Sequence, residues 1–316
     1  MTMYGLTIDE TELVAAPTDG EVVYIPEQPL VHGLGWLPDL PDCRDYTPEH
    51  EEIKPQLALA NIEVDTETAA LPGTADLRQW FSPIEDQGPL GSCTANAGAG
   101  VVEYFERRAH GRHIDASRLF LYKVTRELLH WTGDTGAFLR TTMGALRLFG
   151  VPPEEYWPYN VATYDREPPA FCYAFAQSYQ AIKYYRLDPP ATAKDTLLDR
   201  IKTNLAAGLP SMFGFTVYSS ISQAASSGKI PYPASGEKVV GGHAIVAAGY
   251  DDAMKITNAT SGKRTTGALL IRNSWGTGWG DDGYGWLPYD YVLKGLATDW
   301  WSLVKNEWLE TGQFTQ

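Results

Sequence analysis

Pro210 divides the chain into two kinds of hydrophobic pattern, and no other feature narrows the fold as much. Before it, apolar residues recur at helical spacing. Residues 117–130 carry Leu119, Phe120, Tyr122, Val124 and Leu128. Residues 137–149 carry Phe138, Leu139, Met143, Leu146 and Leu148 and stop at Gly150. A further helix fits 193–207, ending at Gly208. After Pro210 come short runs rich in β-branched and aromatic residues: 212–218, 244–250 and 268–273. Helices first and strands later predict an α+β protein with a helical half and a sheet half.

A fourth helix opens at Cys93, directly after the turn Gly88-Pro89-Leu90-Gly91-Ser92, and runs to about Arg107-Arg108. Its first turns hold Ala95, Ala97, Gly98, Ala99 and Gly100. Glycine inside a helix costs about 0.5–1 kcal/mol relative to alanine, so this stretch predicts a central helix with close neighbours. Basic residues suit its C-terminal end.

Residues 1–70 differ from the rest. They are rich in Pro, Asp and Glu and poor in periodic apolar stretches, with one extended candidate, Glu21–Ile25, and one bulky anchor, Trp36, in a breaker-rich run. The expectation is an N-terminal extension laid over a folded body, or one partly without fixed structure.

The formal net charge of −14 opposes contact with nucleic acid and with anionic lipid, and no Lys/Arg run reverses it locally. No apolar run is long enough to span a bilayer. The first 25 residues hold five acidic groups and lack a secretory pattern. Three widely spaced cysteines, Cys43, Cys93 and Cys172, form neither a disulfide framework nor a zinc-ligand spacing. The expectation is a reducing, cytoplasmic setting with no cofactor and no metal, a Cys43–Cys172 bridge being the alternative.

A thiol becomes a nucleophile when its pKa falls, and a helix N-terminus or a nearby imidazolium lowers it. Cys93 has the first feature by position; the bland alternative is a small buried residue. Among six histidines, His110 and His113 sit in a polar Arg-rich stretch, His32 and His50 in the extension, and His130 after a helical segment. His243 is approached through Gly241 and Gly242 and followed by an apolar strand, so it can face a cleft or serve structure alone. Asn273 can accept the N–H of an imidazole and hold its ring, and Trp275 can shield that bond from water. The alternative there is a Gly-Trp turn with an aromatic anchor.

Together these segments resemble the papain-like cysteine peptidases. Asp86-Gln87-Gly88-Pro89-Leu90-Gly91-Ser92-Cys93 resembles their nucleophile segment, with the Gln six positions before the Cys. Gly242-His243-Ala244 resembles their His segment, and Asn273-Ser274-Trp275-Gly276 their Asn segment, in the same chain order. Leu71-Pro72 with Asp76-Leu77-Arg78 resembles their mature N-terminus, and the resemblance covers roughly residues 71–290.

The resemblance implies a two-domain fold. A helical left domain would span about 84–182. A β-barrel-like right domain would take 71–83 and 183–316, with the cleft between the two. It implies an endopeptidase acting on polypeptide through an acyl-enzyme. Cys93 would be the nucleophile, His243 its acid–base partner and Asn273 the group that orients His243. Gln87 and the Cys93 N–H would hold the oxyanion, and Trp275 would cover the His243–Asn273 bond. Gly136 falls where such enzymes pair with substrate backbone. Gly241, Gly242 and Ala244 would line a pocket open to a bulky apolar side chain. Residues 1–70 would act as an intramolecular inhibitor, or else as a permanent structural arm.

The chain also departs from the pattern. Thr94 stands where many relatives have Trp, and the usual Cys before the nucleophile is absent. His243 and Asn273 are 30 residues apart, with the polar stretch 251–267 as an insertion. The extension is more like the short Trp-Leu-Pro-Asp-Leu-Pro-Asp segment of some bacterial members. Two rival readings are a related thiol acyltransferase or transglutaminase and a non-catalytic binding protein on the same fold. Asn273-Ser274-Trp275 speaks against the first and the intact Cys, His and Asn against the second.

Overall fold

The computed structural model describes residues 32–62, 71–112, 114–180 and 183–314. The extended candidate at 21–25 and His113 lie outside them. In chain order the elements are α1 (Lys54–Leu59), β1 (Thr74–Asp76), α2 (Cys93–His110), α3 (Arg118–Leu128), α4 (Leu139–Leu148), α5 (Ala170–Ala176), β2 (Lys183–Arg186), α6 (Lys194–Ala206), β3 (Ser211–Tyr218), β4 (Val239–Thr257), β5 (Arg264–Arg272), β6 (Tyr284–Pro288), α7 (Tyr289–Leu293), β7 (Ala297–Val304) and α8 (Asn306–Leu309).

Helix α2 is buried along nearly its whole length, as its small residues predict. A side chain at Gly98 would meet Leu121 of α3 and both Thr142 and Leu146 of α4, whereas one at Gly100 would meet the Arg272 guanidinium of β5. The small residues thus let α2 sit between the helices on one side and the sheet on the other. Gly111, with φ 67°, closes the helix, and its N–H donates to the Arg107 carbonyl.

The strands form one antiparallel sheet in the order β2-β7-β3-β4-β5-β6, with β1 paired to β4. Register shifts interrupt the β3–β7 and β4–β5 ladders, and such bulges bend a sheet. The expected strand 212–218 is β3 less its first residue, 244–250 is the middle of β4, and 268–273 is the C-terminal half of β5 with one residue beyond it. The polar stretch 251–267 extends the β4–β5 hairpin, pairing Lys255 to Thr266 and Thr257 to Arg264. Asn258 closes its tip by accepting the N–H groups of Thr260 and Ser261.

Residues 32–62 lie over this body. Ile53, Leu57, Ala60 and Ile62 around α1 are buried in the main core. The Arg186 N–H donates to the Tyr46 carbonyl at 2.8 Å. Arg140 of α4 pairs with Asp39 and with Asp45 and donates to the Leu40 carbonyl. Apolar burial and charge pairing of this kind hold a segment that carries little helix or strand of its own.

Candidate active site

Three backbone segments meet at the N-terminus of α2. The turn before Cys93 docks on the segment after β5: the Gln87 N–H donates to the Ser274 carbonyl at 2.9 Å and the Gly276 N–H to the Glu85 carbonyl at 3.0 Å. Antiparallel pairing of β4 with β5, in which Val246 faces Arg272, brings His243 alongside Asn273. Cys93, Gln87, His243, Asn273 and Trp275 therefore converge, although up to 188 positions separate them in the chain.

His243 Nε2 and Asn273 Oδ1 are 2.8 Å apart. Trp275 stacks on the His243 ring at 4.6 Å, and Trp279 meets Trp275 edge-on at 5.5 Å. The Asn273 oxygen also accepts the Ser274 N–H at 2.9 Å. This leaves Nε2 as the ring donor toward Asn273 and Nδ1 as the free basic nitrogen; Nδ1 is buried and has no hydrogen-bond partner.

Cys93 Sγ accepts the N–H of Ala244, the residue after His243, at 3.4 Å. Both Cys93 and His243 are fully buried. Burial pushes the thiol up to about 11, against the opposing pull of the Ala244, Gly35, Thr94 and Cys93 N–H groups. Burial likewise lowers the imidazole to about 4, with the Asn273 hydrogen bond acting the other way. At neutral pH both groups are uncharged in this covered arrangement.

Gln87 points its amide into the same space. Its oxygen accepts the Ser274 hydroxyl at 2.6 Å, which leaves Nε2 to donate to the carbonyls of Leu90 at 2.8 Å and Gly33 at 3.0 Å. Ser92 is held by the Tyr159 hydroxyl at 2.6 Å and by Asn96.

The cover is the segment His32–Leu37. The Gly33 N–H donates to the Gly88 carbonyl, the Trp36 N–H to the Gly242 carbonyl and the Leu37 N–H to the Ala137 carbonyl. The Ala137 N–H in turn donates to the Gly35 carbonyl. Trp36 thus pairs with Ala137 in parallel fashion. Gly136, at φ 70°, passes so close to Gly35 that a Cβ would collide with the Gly35 oxygen. Leu34 lies over Gly241, and the Trp36 backbone and ring lie over Gly242. His32 stacks on Trp275 at 5.5 Å. Beside it a cavity of about 590 Å³ runs between Asp86, Trp275 and Trp279.

Of the residues expected in the site, Gln87, Cys93, His243, Asn273, Trp275 and Ala244 meet around the N-terminus of α2, and Gly136, Gly241 and Gly242 lie against residues 34–36 of the cover. Gly136 lies against Gly35, Gly241 against Leu34 and Gly242 against Trp36, while the Ala244 N–H is taken by the Cys93 sulfur. The pocket near His243, expected to admit a bulky side chain, holds Trp36. The bond of Ser274 to Gln87, that of Tyr159 to Ser92 and the place of Asp299 under Trp36 were not expected from the sequence. For Asp299 a signal existed: it is an acid inside the apolar run 297–304, and it accepts the Trp36 indole N–H. All three cysteines are free, Cys43 exposed and the other two buried. Among the described residues no group of His, Cys, Asp or Glu is disposed to hold a metal ion, and no helix is long and apolar enough to cross a membrane.

The sequence family described as papain family cysteine protease matches residues 71–310. An uncharacterized peptidase C1-like protein, L477, of Acanthamoeba polyphaga mimivirus is 34% identical over 286 residues, spanning 86% of each chain. Among solved structures, xylellain, a cysteine protease from Xylella fastidiosa, superposes with a TM-score of 0.69 at 33% identity. The match covers 87% of this chain and 97% of xylellain. Digestive procathepsin L 3 of Tenebrio molitor shares the fold at a TM-score of 0.57 and 19% identity, over 80% of this chain and 79% of its own.

Proposed function

Because this chain belongs to the papain family of cysteine proteases, we propose that it cleaves polypeptides through Cys93, His243 and Asn273 and that residues 32–37 hold it latent. The observation that carries the reading is the 2.8 Å His243–Asn273 contact beneath Trp275, with the Cys93 thiol one strand residue away at the Ala244 N–H. That arrangement orients an imidazole whose other nitrogen is free, beside a sulfur at a helix N-terminus.

Once the cleft is open to water and substrate, the desolvation that keeps the pair neutral is relieved. The Cys93 proton then passes to His243 Nδ1. The thiolate adds to the scissile carbonyl carbon. Its oxygen takes the negative charge and accepts hydrogen bonds from Gln87 Nε2 and the Cys93 N–H. His243 gives its proton to the leaving amine as the C–N bond breaks, leaving the acyl group on Sγ. Water, deprotonated by His243, then releases the acid. Asn273 keeps the imidazole in one tautomer throughout.

Latency follows from the same contacts. Gly33 occupies the Gln87 donor, and the Gly35 N–H faces the sulfur where a carbonyl carbon would be needed. Leu34 and Trp36 fill the walls that a substrate would use.

The test is mass spectrometry of the Trp36→Ala chain, in which the covering ring is removed, beside the same chain with Cys93→Ala, incubated with a denatured polypeptide and with a peptidyl epoxide. Cleavage and an adduct on Cys93, both absent when Cys93 is replaced, are expected, with the covered wild type slower in both. An unmodified Cys93 in protein whose cleft is open would end the reading. Incorporation of amines without cleavage would favour the acyltransferase class instead.

A further inference from the structure

Tyr159 stands behind the turn that carries both oxyanion donors. Residues 87–93 hold the Gln87 side-chain amide at one end and the Cys93 N–H at the other. Between them run Gly88, at φ 57°, then Pro89, Leu90 and Gly91, outside any helix or strand. One oxygen joins the two ends from behind. The Tyr159 hydroxyl donates to the Gln87 carbonyl at 2.9 Å and lies 2.6 Å from Ser92 Oγ. A phenol has a single proton. With that proton on the Gln87 carbonyl, the Ser92 hydroxyl donates to Tyr159, and Asn96 Nδ2 donates to Ser92 Oγ at 3.1 Å. The hydrogen bonds thus run in one direction, from Asn96 through Ser92 and Tyr159 to the backbone of Gln87.

The bridging oxygen is itself held in place. The Tyr159 N–H donates to Glu154 Oε1 at 3.2 Å, and the Arg118 guanidinium lies 4.2 Å over the ring. Arg118 is buried on α3. It pairs with Glu154 at 2.8 Å and Glu85 at 2.9 Å and donates to Asn96 Oδ1 at 3.3 Å. Both ends of the chain of bonds therefore return to one cation. Burial pushes the Tyr159 phenol above its ordinary range, so the hydroxyl keeps its proton.

We propose that Tyr159 is a positioning residue for the oxyanion step: its hydroxyl sets the separation of Gln87 from Cys93, so that both donors converge on one substrate oxygen. This deepens the peptidase reading above and rests on it. The residue acts through the turn, whose glycines supply little stiffness of their own. Misplacing a reacting group by 1 Å can cost about 10²-fold in rate. Alkylation of Cys93 by iodoacetamide forms a C–S bond as iodide leaves and makes no oxyanion. It therefore reads the thiol and imidazole alone, and peptide turnover reads the donors as well.

The experiment uses full-length chains that all carry Trp36→Ala, which removes the covering ring. Tyr159→Phe keeps the ring over Arg118 and deletes only the hydroxyl. On a fluorogenic peptide amide, kcat should fall about tenfold with KM within about twofold. Cys93 alkylation by iodoacetamide, and its pH profile, should stay within about twofold of the parent. Added to Gln87→Ala, the same substitution should cost less than about threefold, because one of the donors it aligns is already gone. Ser92→Ala breaks the same chain of bonds at its other end and should reproduce the loss in kcat, which keeps the test open should Tyr159→Phe fold poorly. Unchanged kcat in both variants would overturn the proposal and leave the peptidase reading standing. So would a parallel fall of kcat and alkylation, the mark of a site that has merely loosened. A parent chain that turns over no peptide, with Cys93 inert to the epoxide, would sink both.

Discussion

Gln87 donates its side-chain N–H to the carbonyl oxygen of Gly33 at 3.0 Å. The donor assigned to a substrate oxyanion is therefore already engaged by backbone from the same chain, 54 positions upstream. The same segment excludes water from Cys93 and His243 and so keeps both uncharged.

The first consequence concerns thiol reactivity. A thiol raised from 9.0 to about 11 has about 100-fold less thiolate near neutral pH than an ordinary one. In the full chain, iodoacetamide should reach exposed Cys43 readily and should modify Cys93 at least about 100-fold more slowly than an ordinary thiol. The Cys93 rate should rise about tenfold per pH unit between pH 7 and 9. A plateau at neutral pH would instead report an ion pair with His243. Peptide mapping of the adducts at several pH values decides between them.

Gly214→Ala separates the cover from the catalyst. The new methyl would stand inside the Trp36 ring, so the ring must leave its slot. Cys93 labelling should accelerate by at least tenfold. Unchanged labelling in a folded variant would mean that Trp36 does not hold the segment down.

Gln87→Ala should lower kcat by about 10²–10³ with KM changed little, the loss expected for one oxyanion donor. Ser274 acts through Gln87, since its hydroxyl bonds the amide oxygen and turns Nε2 into the cleft. Ser274→Ala removes one hydrogen bond and should cost up to about tenfold in kcat. An effect of Ser274→Ala on KM alone would argue against that positioning role.

Glu103 links stability to pH. It is buried on α2 and accepts the Ala116 N–H at 2.7 Å, and it lies against Ser82, which also receives Arg272. Burial raises its carboxyl from 4.5 to about 7, against the pull of Arg272. A carboxyl raised in the folded state contributes stability that is complete below pH 4.5 and lost as pH rises through 7. The wild-type advantage in Tm over Glu103→Gln should therefore shrink between pH 5 and 8, by an amount on the order of 3 kcal/mol in free energy. Thermal melts of both proteins across that range check it, and a constant difference would refute it.

Much of the fold was legible because it is local. Helical spacing at 117–130 and 137–149 became α3 and α4, and Gly150 and Gly208, both at positive φ, ended helices where expected. Nearly all of β3, the middle of β4 and the C-terminal half of β5 were visible as apolar runs. β2 and β6 were not, being only 4 and 5 residues long. The 251–267 stretch read as an insertion because its strand pairing is stabilised by the partner strand rather than by apolar alternation. In the site, Cys93, His243, Asn273 and Gln87 were recognisable by motif and order. Ser274 lay within a quoted motif, yet its bond to Gln87 depends on two loops meeting.

The sequence by itself determined which elements form and which residues carry chemistry, since propensity, breakers and motif spacing act within a few residues of each other. Tertiary structure alone decided what state that chemistry is in. Trp36 reaches Asp299 across 263 positions and Gly33 reaches Gln87 across 54. These meetings bury the thiol and imidazole, and burial shifts both away from charge. Desolvation depends on every neighbour in space, and no run of residues along the chain encodes it.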